Sequence, residues 1–172
     1  MFAIVSKIQK NDVLFFYALN KIIHHPTLDA FMKILTQLGS TFFAVTVSIS
    51  LIVYNKHLGI VLIANLLLSQ IIIHLLKRII NRPRPYKTLE WAIAINPPKC
   101  KYSLPSGHSG SALSIAMVLA SFFPSVKIIL ISIAILVGIS RVYLGYHYPT
   151  DVSLGFVISY SIYKVLECLI FI

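Results

Sequence analysis

Acidic residues are scarce in this chain. Its 172 residues include five of them, Asp12, Asp29, Glu90, Asp151 and Glu167, and charged residues of both signs make up only 12%. A soluble domain carries about 25%. With 58% hydrophobic residues, too little polar surface remains to cover a water-soluble globule, so a membrane protein is the expected class. Five scattered acids also speak against a site built around catalytic metal ions, which takes several carboxylates or histidines. Only Asp151 falls inside a motif. Cysteine is nearly absent. Cys100 and Cys168 fall in an expected loop and in the last expected helix, and both are read as free thiols. No cleavable signal peptide is expected, because Lys7, Lys10 and Asp12 interrupt the first dozen residues.

Uncharged sequence is what the chain has in quantity. Residues 58–76 carry no charge, nor do residues 103–126. About 20 apolar residues in a helix cross a hydrocarbon core of roughly 30 Å. The expected fold is an all-α transmembrane bundle of about five spans, at 27–54, 58–80, 106–123, 126–143 and 149–172. Asp29 and Lys33, in the first turns of the first span, can reach the interface by snorkelling. Residues 11–25 read as a short interfacial helix, whose apolar run 13–19 is too brief to span. The expected organisation is therefore an N-terminal interfacial segment, 1–26, and one transmembrane domain, 27–172. Residues 81–104 contain Pro83, Pro85, Pro97 and Pro98 and form a polar connection without continuous helix. Trp91 within it suits either a membrane interface or a helix end to pack on. Lys164 and Glu167 stand at i,i+3 and are expected to pair.

Basic residues outnumber acidic ones by 15 to 5. No soluble basic domain exists to bind nucleic acid, so the partner of this charge is anionic lipid at the bilayer surface or a phosphate group in a pocket. Three motifs bear on the second reading. Lys77-x6-Arg84-Pro85 follows the second expected span, where basic residues are ordinary; Arg78 and Arg82 lie beside it. Pro105-Ser106-Gly107-His108 opens the third. Ser106 is a normal N-cap, but His108 is not explained by capping. The free N–H groups of a helix start bind phosphate, and Gly107 leaves room for an oxyanion to approach. Ser140-Arg141-x5-His147-x3-Asp151 joins the fourth span to the fifth. Snorkelling accounts for Arg141 alone, and a capping pair for His147 and Asp151. A carboxylate on one ring nitrogen also frees the other nitrogen for chemistry.

Consecutive spans alternate in direction, so all three motifs fall at one membrane face. Together they offer three cations, a helix N-terminus, two histidines and an orienting carboxylate. Phosphoryl transfer needs such a set.

These motifs resemble the type-2 phosphatidic acid phosphatase family, which shares its site with vanadium haloperoxidases. Every motif position is filled from Lys77 to Asp151. The resemblance implies an integral membrane lipid phosphatase or diphosphatase. It implies His147 as the nucleophile that forms a phosphohistidine, Asp151 as its orienting partner and His108 as general acid. It implies Lys77, Arg84 and Arg141 as a phosphate clamp completed by Ser106 and the Gly107 N–H, with no metal or cofactor. Undecaprenyl pyrophosphate is favoured as substrate, with phosphatidic acid or phosphatidylglycerol phosphate next. The competing class is a lipid transporter or a catalytically silent lipid-binding scaffold. Intact His108, His147 and Asp151 speak against the scaffold, and charge at one face rather than mid-membrane speaks against the transporter. The resemblance places the site on the outer face of the plasma membrane. The positive-inside rule points the other way, since Lys7, Lys10, Lys21, Arg78, Arg82, Lys87, Lys99 and Lys101 share the site's side. His74, one turn before Lys77, either lines the pocket or pairs within the bundle.

Overall fold

The computed structural model describes residues 2–170, with side chains from Gln9 to Leu169. Met1, Phe171 and Ile172, at the ends of the two expected segments, and the Lys7 side chain lie outside the described residues. Among the described residues eight α-helices follow one another: α1 (Phe2–Tyr17), α2 (Pro26–Leu35), α3 (Thr41–Tyr54), α4 (Lys56–Ile80), α5 (Pro85–Thr88), α6 (Gly107–Phe122), α7 (Lys127–Tyr143) and α8 (Pro149–Ile170). Among the described residues there is no strand, and one isolated antiparallel bridge joins Pro83 to Tyr102.

Among the described residues three helical stretches are long and apolar enough to cross a bilayer: Lys56–Ile80, Pro124–Tyr143 and Pro149–Leu169. The expected span 27–54 is present as two pieces, Pro26–Gly39 and Thr41–Tyr54, bent by 49°. The break has a local cause. Thr36–Gly39 tightens into a 3-10 turn, and Ser40, in extended conformation, starts a new helix by accepting from the Phe43 N–H at 3.2 Å. The expected span 106–123 yields a helix of only 16 residues, Gly107–Phe122. Ser106 caps one end of it, and Phe123 with Pro124 stops the other. Such a cap contributes about 1 kcal/mol.

Helix α6 packs against α4, α7 and α8. Its buried faces carry Ser109, Gly110, Ala112, Ser114 and Ala116. Lipid tails are as apolar as leucine, so helices in a bilayer associate through close packing, which small residues allow. Large apolar side chains such as Phe42, Val53, Ile79, Ile128 and Leu169 stay exposed on the outside, as a lipid-facing surface requires.

The N-terminal helix differs from expectation. It begins by Phe2, continues through a π-helical turn, Ala18–Ile22, and is docked on the bundle. Phe16 is fully buried. Asn20 donates to the carbonyls of Ile93 and Tyr143 at 2.8 and 2.7 Å and accepts from the Ile93 N–H. Trp91 packs against Phe16 and Tyr17, with centroids 5.7 and 5.0 Å apart, which decides between its two readings. Asp29 is not simply snorkelling; it accepts from the Tyr143 hydroxyl at 2.6 Å and pairs with His24. Lys164 and Glu167 form the expected ion pair, and both cysteines are free.

Candidate active site

His147 sits in the short turn between α7 and α8. The turn is tight because Gly145 adopts φ +84°, a conformation that L side chains rarely take. A Cβ at Gly145 would lie 2.2 Å from the Ile93 carbonyl oxygen. The N–H groups of Tyr146 and His147 both fold back onto the Arg141 carbonyl, at 3.1 and 3.3 Å. This geometry turns His147 inward, where it is 2% exposed.

The environment selects one form of the ring. Arg84 Nη1 lies 3.3 Å from His147 Nε2. A guanidinium has donors only, so Nε2 is the bare nitrogen and the proton sits on Nδ1. Nδ1 faces Asp151 Oδ2 at 3.5 Å, a loose contact that leaves it without a formal hydrogen bond. Burial holds the imidazole pKa well below its ordinary 6.5, and Arg141, Arg84 and Lys77 push it down further. The ring is therefore neutral, and its Nε2 lone pair is held by the Arg84 donor.

Asp151 is fully buried and anchored on both oxygens. Oδ1 accepts from Arg82 Nη1 at 2.7 Å, and Oδ2 accepts from the Tyr148 N–H at 2.8 Å. Its backbone carbonyl accepts from the Ser106 N–H at 2.8 Å, which ties the first turn of α8 to the start of α6.

Three cations surround the ring. Arg84 is held by the Cys100 and Tyr146 carbonyls at 2.7 and 2.8 Å. Arg141 donates to Thr36 Oγ1 at 2.8 Å, and its guanidinium lies 4.5 Å from the Tyr146 ring centroid. Its Nε is buried without a partner. Lys77, 8% exposed, donates to the Tyr102 carbonyl at 3.3 Å. Among the described residues, no three His, Cys, Asp or Glu side chains are grouped as metal ligands.

Lys77, Arg84, Gly107, His108, Arg141 and His147 line one cavity of about 660 Å³. The other two expected residues stand behind its wall. Asp151 backs His147, and Ser106 is buried, its hydroxyl turned to Ser109 at 2.8 Å as part of the helix cap. His74 lines the same cavity, with Nδ1 donating to the Gln70 carbonyl at 2.7 Å. Away from the charges, the cavity continues as an apolar trough between α3 and α4, walled by Ala44, Val45, Ile49, Ile63, Leu66 and Leu67.

Four contributors escaped the sequence reading. Thr36 orients Arg141. Gln70 bridges the Gly107 carbonyl and Ser111 Oγ at 3.0 and 2.9 Å. Arg82, expected as incidental surface charge, is the ion-pair partner of Asp151, and Asp12 holds the other end of that guanidinium at 2.7 Å. The one signal in the sequence was Arg82-Pro83-Arg84-Pro85: prolines on either side of Arg84 keep the segment extended, so the two arginines can serve different partners.

A model of the PAP2 superfamily matches residues 58–170. The lipid A 1-phosphatase of Rhizobium etli is 33% identical over 106 residues, covering 59% of this chain and 46% of that protein. The undecaprenyl-diphosphatase of Sulfolobus acidocaldarius is 29% identical over 135 residues, 77% of this chain and 66% of that protein. This chain thus matches less than two thirds of the length of either relative. Among solved structures, a transmembrane PAP2-type phosphatidylglycerolphosphate phosphatase from Bacillus subtilis superposes with a TM-score of 0.77 at 29% identity, covering 95% of this chain and 86% of that one.

Proposed function

This chain belongs to the PAP2 superfamily, and from that premise we propose that it is a multi-pass membrane phosphatase that removes a phosphate group from a lipid. One observation carries the reading: a cavity lined by three cations, Lys77, Arg84 and Arg141, and by His74, His108 and His147 runs on into an apolar trough. A phosphate headgroup and the chain attached to it need those two environments, in that order.

In this reading His147 Nε2 attacks phosphorus, and the bond from phosphorus to the lipid oxygen breaks. His108 donates a proton to the departing oxygen. Lys77, Arg84 and Arg141, with the Gly107 N–H at the start of α6, bind the phosphoryl oxygens; fixed donors of this kind are the main source of rate in phosphoryl transfer. Ser106 contributes by capping the helix that presents that N–H. His108 then takes a proton from water, the water oxygen bonds to phosphorus, the P–N bond breaks, and inorganic phosphate leaves. Undecaprenyl diphosphate ranks first as substrate, ahead of phosphatidic acid and phosphatidylglycerol phosphate. The site faces the outer side of the plasma membrane in this reading, because Arg84, which lines the pocket, and Arg82, which pairs with Asp12 and Asp151, serve the site rather than set orientation. On intact cells, in a background where Cys100 and Cys168 are replaced by serine because both are free and exposed, an impermeant thiol reagent should modify Lys99→Cys and leave Lys127→Cys unmodified; the reverse would invert the topology.

The purified protein in detergent is expected to release inorganic phosphate from these lipids with EDTA present. Undecaprenyl diphosphate should give the highest kcat/KM. Loss of turnover in EDTA with recovery on adding metal would overturn the proposed mechanism. Equal efficiency on a water-soluble phosphate ester would overturn the lipid reading.

A further inference from the structure

Asp12 belongs to none of the three motifs and lies on the first helix, 139 positions before Asp151 in the chain, yet it is 2% exposed. Its Oδ2 accepts from Arg82 Nη2 at 2.7 Å. Its Oδ1 accepts from the Thr150 N–H at 2.9 Å, and its Oδ2 also accepts from the Thr150 hydroxyl. The same guanidinium donates through Nη1 to Asp151 Oδ1 and to Thr150 Oγ1, each at 2.7 Å, and lies 4.1 Å from the Tyr148 ring centroid. One cation is therefore divided between two buried carboxylates, and the second of these faces His147 Nδ1.

We propose that Asp12 is a positioning residue that acts through Arg82 to hold Asp151 against His147, so that the N-terminal helix completes the catalytic centre. The inference rests on the reading of His147 as nucleophile. Its physical content is charge sharing. An Arg82 paired with Asp151 alone would direct its whole positive charge at that carboxylate and weaken its hold on the Nδ1 proton. Asp12 takes up part of that charge, and by binding Thr150 it also fixes the first turn of α8, on which Asp151 stands. Asn20 anchors the same N-terminal segment to Ile93 and Tyr143 and touches neither Arg82 nor Asp151, so the two anchors can be tested separately.

The charged and titratable groups facing His147 are Lys77 from α4, Arg84 from the loop before α5, His108 from α6, Arg141 from α7 and Asp151 from α8. Asp12→Asn removes a negative charge from the far end of this set. It is expected to lower kcat about tenfold, as loss of an outer hydrogen-bond partner of a histidine does. KM should stay unchanged, and the acid limb of kcat/KM should move to lower pH. Asp12→Glu, which keeps the charge, should leave that limb at its wild-type position. Asn20→Ala should lower the thermal midpoint in detergent without moving the limb. If Asp12→Asn behaves as Asn20→Ala does, or Asp12→Glu moves the limb as far as Asp12→Asn, the positioning role is overturned. A wild-type enzyme that releases no phosphate would instead refute the proposed function itself.

Discussion

Replacing His147 with alanine is expected to bring phosphate release down to background, a loss in kcat on the order of a millionfold, as for removal of a nucleophile elsewhere. Arg84 donates to Nε2 and Asp151 stands behind Nδ1, so the neutral ring presents a lone pair toward the cavity with three cations around it. No other described side chain in the cavity combines that orientation with a backing carboxylate. Burial is the main reason the ring resists protonation, with Arg141, Arg84 and Lys77 adding to it. The sign follows directly. Because the pKa of the folded state is depressed, His147 stays unprotonated as pH falls through 6.5, and under the proposed mechanism its acid limb in kcat/KM lies well below that value. The unfolded chain does take up the proton near 6.5, so this group makes the fold less stable as pH drops below that point. Quenched-flow trapping of an acid-labile, base-stable phosphoprotein checks the first claim. A full burst of phosphoenzyme in His147→Ala would show that another residue attacks.

Asp151→Asn should cost about 10³- to 10⁴-fold in kcat with little change in KM. The carboxylate accepts from Arg82 on one oxygen and from the Tyr148 N–H on the other. An asparagine oxygen would be kept by Arg82, which can only donate. The new amide NH2 would then point at both the Tyr148 N–H and the His147 Nδ1 proton. Relief comes from moving the ring proton to Nε2, with Arg84 Nη1 left to the Tyr146 carbonyl alone, and a protonated Nε2 cannot attack phosphorus. Kinetics of the variant, with nitrogen NMR of labelled histidine to read the tautomer, tests this. Unchanged turnover, or a ring that keeps its Nδ1 proton in a slow variant, would refute the tautomer argument.

Much of the site was legible because its residues stand at helix ends. Once the uncharged runs are read as spans of alternating direction, Lys77, His108, Arg141 and His147 have to share a face, and all four line one cavity. The supporting residues were hidden for the same kind of reason. Asp12 and Arg82 lie 70 positions apart, and Thr36 and Arg141 lie 105 apart. No local pattern marks such partners; they are chosen by how whole helices pack. The bend at Ser40 was equally silent, since Gly39 and Ser40 are small residues of a kind that also occurs in unbroken membrane helices. A Cβ at Gly39 would lie 2.5 Å from the His108 carbonyl oxygen, so the need for glycine there becomes visible only when α6 is in place.

The brevity of α6 bears on the bilayer itself. A rise of about 1.5 Å per residue makes this helix about 24 Å long, several ångströms less than a hydrocarbon core of roughly 30 Å. A bilayer of that thickness has to thin around α6 or leave one of its ends, the Gly107–His108 turn or the Phe122 end, beneath the headgroups. Either adjustment carries an energetic cost that grows with the mismatch. Thicker, more ordered membranes should strain this part of the bundle, and thinner ones should relieve it.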